Sequence, residues 1–275
     1  MTAPVLEAIF ISGVVKCEIE ARSPLTIGSG GSPLDPLSPD IPLLRDSRGM
    51  PIIPGSTLKG FFRAWVERTL SSLKLNKWDM LVSDIFGTIE PEPCGSRLMF
   101  DDALAEEPCT IVGIREHVKL SPETMGVKHG PFIQEYVEPG AKFSCDISFR
   151  NLPPSFLSLL SPVIRQADAG IARLGRSKSR GYGRISISLS DVSMMLTWPS
   201  HMEKVSFKLA LPNCNKEVDL DAEKKDKMIL LRDSISGYNL ECSVYEDLPP
   251  FLRAKVPWAT VEGCLDPLLK GLEGW

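Results

Sequence analysis

Histidine is scarce in this chain of 275 residues, with three in all (His117, His129 and His201), and none of the seven cysteines forms a C-x-x-C pair. The first shortage leaves little material for imidazole acid–base catalysis, and the second argues against a tidy zinc site. Cys17, Cys94, Cys109, Cys145, Cys214, Cys242 and Cys264 are odd in number and irregularly spaced, which also argues against a disulfide framework. A zinc ion held by His117 or His129 with a distant cysteine stays open as the lesser alternative. No apolar run approaches the roughly 18 residues of a membrane span. Met1 to Val15 lacks the basic start and small-residue cleavage site of a signal peptide, so it reads as leading into a strand, and the expected location is cytoplasmic. Positive charge is not in excess: 31 Lys and Arg stand against 35 Asp and Glu, a formal charge of −4. The total therefore does not point to a nucleic-acid binder, which needs clustered cations.

The distribution of charge says more than its sum. Arg173, Arg176, Lys178, Arg180 and Arg184 crowd one short stretch, while acids gather between Glu217 and Asp226. The length suits one large domain, or one domain with a sizeable extension.

Val15, Cys17, Ile19 and Ala21 alternate with other residues and predict a first strand. A loop rich in Gly, Pro, Ser and Asp follows, longer than compact domains usually carry without a use for it. Strands are expected at Arg97 to Asp101 and at 110–120, then a long polar hairpin from Ser121 to Gly140. Phe143, Cys145, Ile147 and Phe149 alternate in a further strand. A helix capped by Ser161, with Pro162 at its first position, is expected to run to Leu174 with Val163, Ile164, Ala167, Ile171 and Leu174 inward and Gly175 just past its end. Ile185, Ile187 and Leu189 alternate with serines in a last strand. The order is strand, helix, strand, strand, helix, strand: an α+β, ferredoxin-like or RRM-like βαββαβ domain. On that plan the strands at 97–101 and 110–120 and the hairpin are insertions. We expect the domain to span 1–193, with insertions at 23–50 and 115–140. Residues 194–275 then form a C-terminal extension with further strands around Val205 to Leu211 and Met228 to Leu231 and a last helix at Leu265 to Leu272, packed on the same domain or on a partner.

Met50 to Arg63 concentrates local signals. Pro54-Gly55 is a turn, Ser56 a candidate cap, and Leu58, Phe61, Phe62, Trp65, Val66, Thr69, Leu70 and Leu73 form an apolar stripe at helical spacing. Lys59, Arg63 and Glu67 fall at i, i+4 and i+8. Two readings stand: free amides at the helix start grip an anion together with Lys59 and Arg63, or Arg63 and Glu67 form a solvated ion pair.

Pro54-Gly55-Ser56-Thr57-Leu58-Lys59-Gly60 with Arg63, followed in the same order by Leu174-Gly175-Arg176-Ser177-Lys178-Ser179-Arg180-Gly181-Tyr182-Gly183-Arg184, resembles the helix signature and glycine-rich loop of the RAMP superfamily, RNA-binding proteins of CRISPR effector complexes. The resemblance implies RNA contacts from Ser56, Lys59, Arg63, Arg176, Lys178, Ser179 and Arg180. Pro39-Asp40-Ile41-Pro42-Leu43-Leu44-Arg45-Asp46 resembles the loop bearing the target-cleaving aspartate in the repeated backbone subunits of type III complexes. Asp40 matches the cleaving position and Asp46 the second acid. This implies a divalent ion, Mg²⁺ by preference, at Asp40, and in-line attack by a neighbouring 2′-hydroxyl. By its residues alone Asp40 reads first as a turn residue satisfying loop amides, and the cleaving role comes from the resemblance. Thr26 departs from the pattern, since related subunits commonly carry histidine there.

The hairpin from Arg115 to Gly140 is similar to the family's thumb, which flips one base out of the guide–target duplex. Met125, Val127 and Phe132 are its candidate wedges, with Lys128 and His129 near the tip to meet phosphate. The implied partners are guide RNA, complementary target RNA, further RAMP subunits, the large signature subunit of the complex and other copies of this chain in a filament. Two alternatives remain: a non-catalytic, single-copy subunit that caps or bridges the complex, and a metal-independent repeat-processing ribonuclease acting through a histidine.

Overall fold

A computed structural model describes residues 8–30, 38–90, 93–106, 110–121, 123–199, 202–248 and 250–274, without the side chains of 119, 120, 128–130 and 248. Along the chain come β1 (Ile11–Ala21), β2 (Ile52–Ile53), α1 (Gly55–Ser72), α2 (Trp78–Phe86), β3 (Leu98–Phe100), β4 (Ala103–Ala105), β5 (Val112–Leu120), β6 (Val127–Val137) and β7 (Lys142–Arg150). A 3₁₀ helix at Pro154–Leu160 leads into α3 (Ser161–Asp168) and β8 (Ile185–Thr197). Then follow β9 (Lys204–Leu211), β10 (Lys216–Lys225), β11 (Met228–Asp233), β12 (Asn239–Leu248), β13 (Phe251–Val256), α4 (Trp258–Glu262) and α5 (Leu265–Glu273).

Strands β4, β7, β1 and β8 lie side by side and antiparallel in that order. This is the ferredoxin-like, RRM-like arrangement, with α1 and α3 on one face. Its inner face follows from period-two alternation: Val15, Cys17, Ile19 and Ala21 from β1 meet Phe143, Cys145, Ile147 and Phe149 from β7, all buried. Cys17 and Cys145 are direct cross-strand partners and pack as small apolar residues. In β8 the buried set changes phase, from Ile185 and Ile187 to Val192, Met194 and Leu196, because the pairing with β1 slips between Val15 and Cys17.

Three expectations need correction. The 97–101 segment is no insertion, since β3 pairs with β7 and, with β4, supplies the second strand of the plan. α3 stops at Asp168, where the chain turns through Ala169 and Gly170, so Ile171 is exposed and Leu174 is buried from a loop. Ser161 caps nothing: α3 continues from the 3₁₀ helix, whose Ser158 carbonyl takes the Ser161 amide, and the Ser161 hydroxyl is buried without a partner.

The C-terminal stretch continues the same sheet. Ser193 pairs with Val14 of β1 on one side and Lys255 of β13 on the other, and β12, β11, β10 and β9 extend it as a meander. Two buried carboxylates bind it down. Asp84 of α2 accepts hydrogen bonds from the Asn213 amide (2.9 Å), the Asn213 side chain (2.8 Å) and the Cys214 amide (3.0 Å). Asp233 at the end of β11 accepts from Ser155 in the 3₁₀ helix (2.8 Å) and from the Ile235 and Ser236 amides. Among the described residues no helix is long and apolar enough to cross a membrane.

Removing the Asp84 carboxylate strands the Asn213 amide, the Asn213 side chain, the buried Cys214 amide and the Cys94 thiol. Asp84→Ala is therefore expected to lower stability by about 3 kcal/mol, read as an earlier urea midpoint, with proteolysis opening 202–248 first. An unchanged midpoint would contradict this anchoring role.

Candidate nucleic-acid interface

β6 uses both of its edges. One pairs with β5 to form the long hairpin, and the other takes up two loops. Leu25 and Val137 exchange amide hydrogen bonds (3.0 and 2.8 Å), and Ile41 bonds to the Ile133 carbonyl and the Glu135 amide (both 3.0 Å). Pro39 and Pro42 have no N–H, so the second loop cannot run on as a strand. Side chains complete the attachment. The exposed Asp40 carboxylate accepts the Ile133 amide at 2.7 Å, and Glu135 accepts the Leu43 amide (2.9 Å) and the Arg45 guanidinium (3.1 Å). Asp40 does satisfy an amide, but one from the hairpin and not from its own turn. Asp46 is absorbed by its turn: its carboxylate takes the Met50 and Arg48 amides, and the Met50 bond with the Arg48 contacts holds it below the usual carboxylate range.

The glycine-rich loop is seated on the same framework. Gly175 and Gly183 adopt φ of +82° and +80°, and a Cβ on either would overlap a carbonyl oxygen, of Thr26 and Leu174 respectively. The Arg176 amide donates to the Thr26 carbonyl at 2.9 Å. Below it runs a buried polar chain. Ser177 donates to Gln134 Oε1 (3.0 Å), Gln134 Nε2 to the Thr26 hydroxyl (2.8 Å), and that hydroxyl to the Glu135 carbonyl (2.8 Å). Thr26 is fully buried, and its hydroxyl is used within this chain of bonds.

Arg176, Lys178, Ser179 and Arg180 are exposed on the loop, and none of the three cations has an ion-pair partner among the described residues. Lys59 and Arg63 are not brought to them. They line a different groove, beside Gly87, Thr88 and Glu90, where Arg63 is held by Glu67 and the Gly87 carbonyl (both 2.8 Å). Burial, then the nearby Arg63, lowers the Lys59 pKa. The anion grip at the helix start is likewise corrected. Ser56 is exposed and caps nothing, and the Gly55 amide donates to Asp102 Oδ1 at 2.8 Å, so a carboxylate already sits there. Gly55 is needed because a Cβ would overlap the Phe100 carbonyl.

Met125 and Val127 are exposed at the hairpin tip, and the side chains of Lys128 and His129 lie outside those described, as do Cys109 and His201. Phe132 sits lower, stacked on His117 with ring centroids 5.3 Å apart and with the Arg180 guanidinium 5.4 Å from its ring. His117 in turn lies 3.3 Å from the Tyr182 hydroxyl, and Arg115 stacks over Tyr136 and Tyr182. This cation and aromatic cluster at the hairpin base was not foreseen. Its available signal was the same-face spacing of Arg115 with His117 and of Phe132 with Tyr136. Among the described residues no three His, Cys, Asp or Glu side chains gather as a metal cluster.

A family model described as the RAMP superfamily matches residues 18–186. No curated protein matches the chain. Among solved structures, a chain from the cryo-EM structure of the Type III-B Cmr-beta bound to cognate target RNA aligns with a TM-score of 0.50 and 20% identity, over 65% of this chain and 60% of that one. A chain from the apo state of Type III-B Cmr-beta aligns with a TM-score of 0.47 and 14% identity, over 64% of this chain and 96% of that one. The first likeness is one of fold, and this chain spans 60% of its length.

Desolvation first, then Arg180 and Arg115, lowers the His117 pKa from its ordinary 6.5. Its NMR titration midpoint is expected below 6.5, and Arg180→Gln is expected to raise it part of the way back. The unfolded chain takes the proton first, so His117 lowers stability as pH falls below 6.5. A midpoint indifferent to Arg180 would separate the hairpin base from the glycine-rich loop.

Proposed function

The chain belongs to the RAMP superfamily, and from that premise we propose that it is an RNA-holding subunit of a type III CRISPR effector that cleaves complementary target RNA at Asp40. One observation carries this reading: an exposed carboxylate is fixed at 2.7 Å to the Ile133 amide of the hairpin, and the same strand holds the loop bearing Arg176, Lys178 and Arg180. Unpaired cations take the RNA backbone, and the hairpin enters between guide and target. Asp40 then faces the target phosphate.

A lone carboxylate suits an ion that keeps most of its shell as water and phosphate oxygen, as Mg²⁺ does. Asp40 would hold such an ion together with the RNA, and the ion would supply stabilisation of the charge developing on the phosphate. The bond from O2′ to phosphorus forms as the bond from phosphorus to O5′ breaks, the 2′-hydroxyl giving its proton to solvent and O5′ taking one from it, leaving a 2′,3′-cyclic phosphate and a 5′-hydroxyl. In this reading several copies line one guide RNA, beside other RAMP subunits and the large signature subunit.

The second reading, a single-copy, non-catalytic subunit, is favoured by the extension: β13 occupies the edge of β8, and four further strands follow it.

In the assembled guide complex with Mg²⁺, target cuts are expected at a fixed interval with cyclic phosphate ends. Asp40→Ala is expected to slow them by roughly 10²-fold or more while target binding survives. Equal cutting by the variant would favour the second reading, and cutting that persists in EDTA would return the histidine mechanism to consideration.

A further inference from the structure

The stripe on α1 holds one residue that core packing explains only in part. Trp65 is half-buried, packing inward on the core while lining two adjoining grooves. The first, of about 380 Å³, runs between α1 and the glycine-rich loop and is lined by Phe61, Trp65, Arg68, Arg176 and Lys178. The second, of about 590 Å³, runs on past Trp65 and Arg68 to Ser72 and Gln166. Among the described residues neither is lined by a carboxylate, although the chain as a whole carries a charge of −4. The Arg68 guanidinium lies over the indole face, 4.8 Å from its centroid, so a base reaches that face only as Arg68 swings aside to the phosphate. Arg68, Arg176 and Lys178 have no ion-pair partner among the described residues.

A flat indole among cations, in a groove whose described lining carries no acid, matches the alternation of base and phosphate in a single strand. We infer that Trp65 stacks an unpaired nucleobase of single-stranded RNA whose phosphates lie on Arg68 to one side and on Arg176 and Lys178 to the other. The glycine-rich loop is then one end of a longer track along α1. This rests on the RNA-holding role proposed above and adds to it a base contact, on the face of α1 that Lys59 and Arg63 do not share. A Cβ at Gly60 would meet nothing, so the groove floor gives the strand clearance.

The test walks 2-aminopurine through a single-stranded RNA bound to the full chain. One position is expected to be quenched in the wild type and in Trp65→Phe, and released in Trp65→Ala, with affinity roughly tenfold weaker in the alanine variant. An abasic nucleotide at that position is expected to erase the difference between Trp65→Phe and Trp65→Ala. Arg68→Gln, which leaves the buried side of the helix intact, is expected to weaken binding and flatten its salt dependence. RNA bound with the same quenching in all three Trp65 proteins would overturn this inference and leave the RNA-holding role standing. Displacement of the RNA by polyglutamate at equal charge concentration would also overturn it, marking the groove as a seat for acidic peptide. A wild-type chain that binds no RNA would overturn both.

Discussion

The outer edge of β6 is the constraint on which the rest depends. A strand whose second edge is free exposes unpaired amides and carbonyls, and here that edge is filled by Leu25 and Ile41 from two loops distant in sequence. Beneath it, Thr26 and Gln134 are buried polar groups that must find partners, and the partners are Ser177 and the Glu135 carbonyl. Moving any of the three loops would leave a buried donor or acceptor unsatisfied. The Asp40 loop, the hairpin and the glycine-rich loop therefore form one surface of fixed shape.

Charge follows the same division between framework and surface. Carboxylates that hold the framework are engaged by donors: Asp84 and Asp233 fasten the extension, Asp102 closes the start of α1, and Asp46 closes its own turn. Cations on the glycine-rich loop and on Arg68 have no acid partner among the described residues, so an acidic chain presents a basic seam. Asp84 and Asp233, both buried, are costly to disturb, whereas exposed guanidiniums with no acid partner among the described residues keep their charge available to a polyanion.

Local periodicity made much of this legible. Alternation in β1, β7 and β9, the stripe on α1 and the order of elements are all short-range patterns, and they located the sheet and its inner face. What escaped was set over distance. The helix starts at Gly55, one residue ahead of Ser56, with Pro54 at the cap position, and Asp102 arrives from the β3–β4 turn, 47 residues on, to take the Gly55 amide. Arg63 has the spacing of an RNA contact, but its bond to the Gly87 carbonyl at the end of α2 could not be read from that spacing. The bulge in β8 and the early end of α3 depend on how neighbours pair and pack. The aromatic cluster at the hairpin base needed Tyr182 from one loop and His117 from another strand, and no spacing rule joins them. The Asp40 loop was readable by resemblance, but its attachment to β6 was not.

The most direct test of the fixed surface is amide hydrogen exchange of the free protein, followed at Leu25, Ile41, Ile133, Glu135 and Val137. If the outer edge of β6 joins the loops, these amides are protected and exchange together, while residues 123–127 at the hairpin tip exchange fast. Exchange of Ile41 and Ile133 at the rate of the tip, with Val137 still protected, would mean that the loop bearing Asp40 is not held by the hairpin.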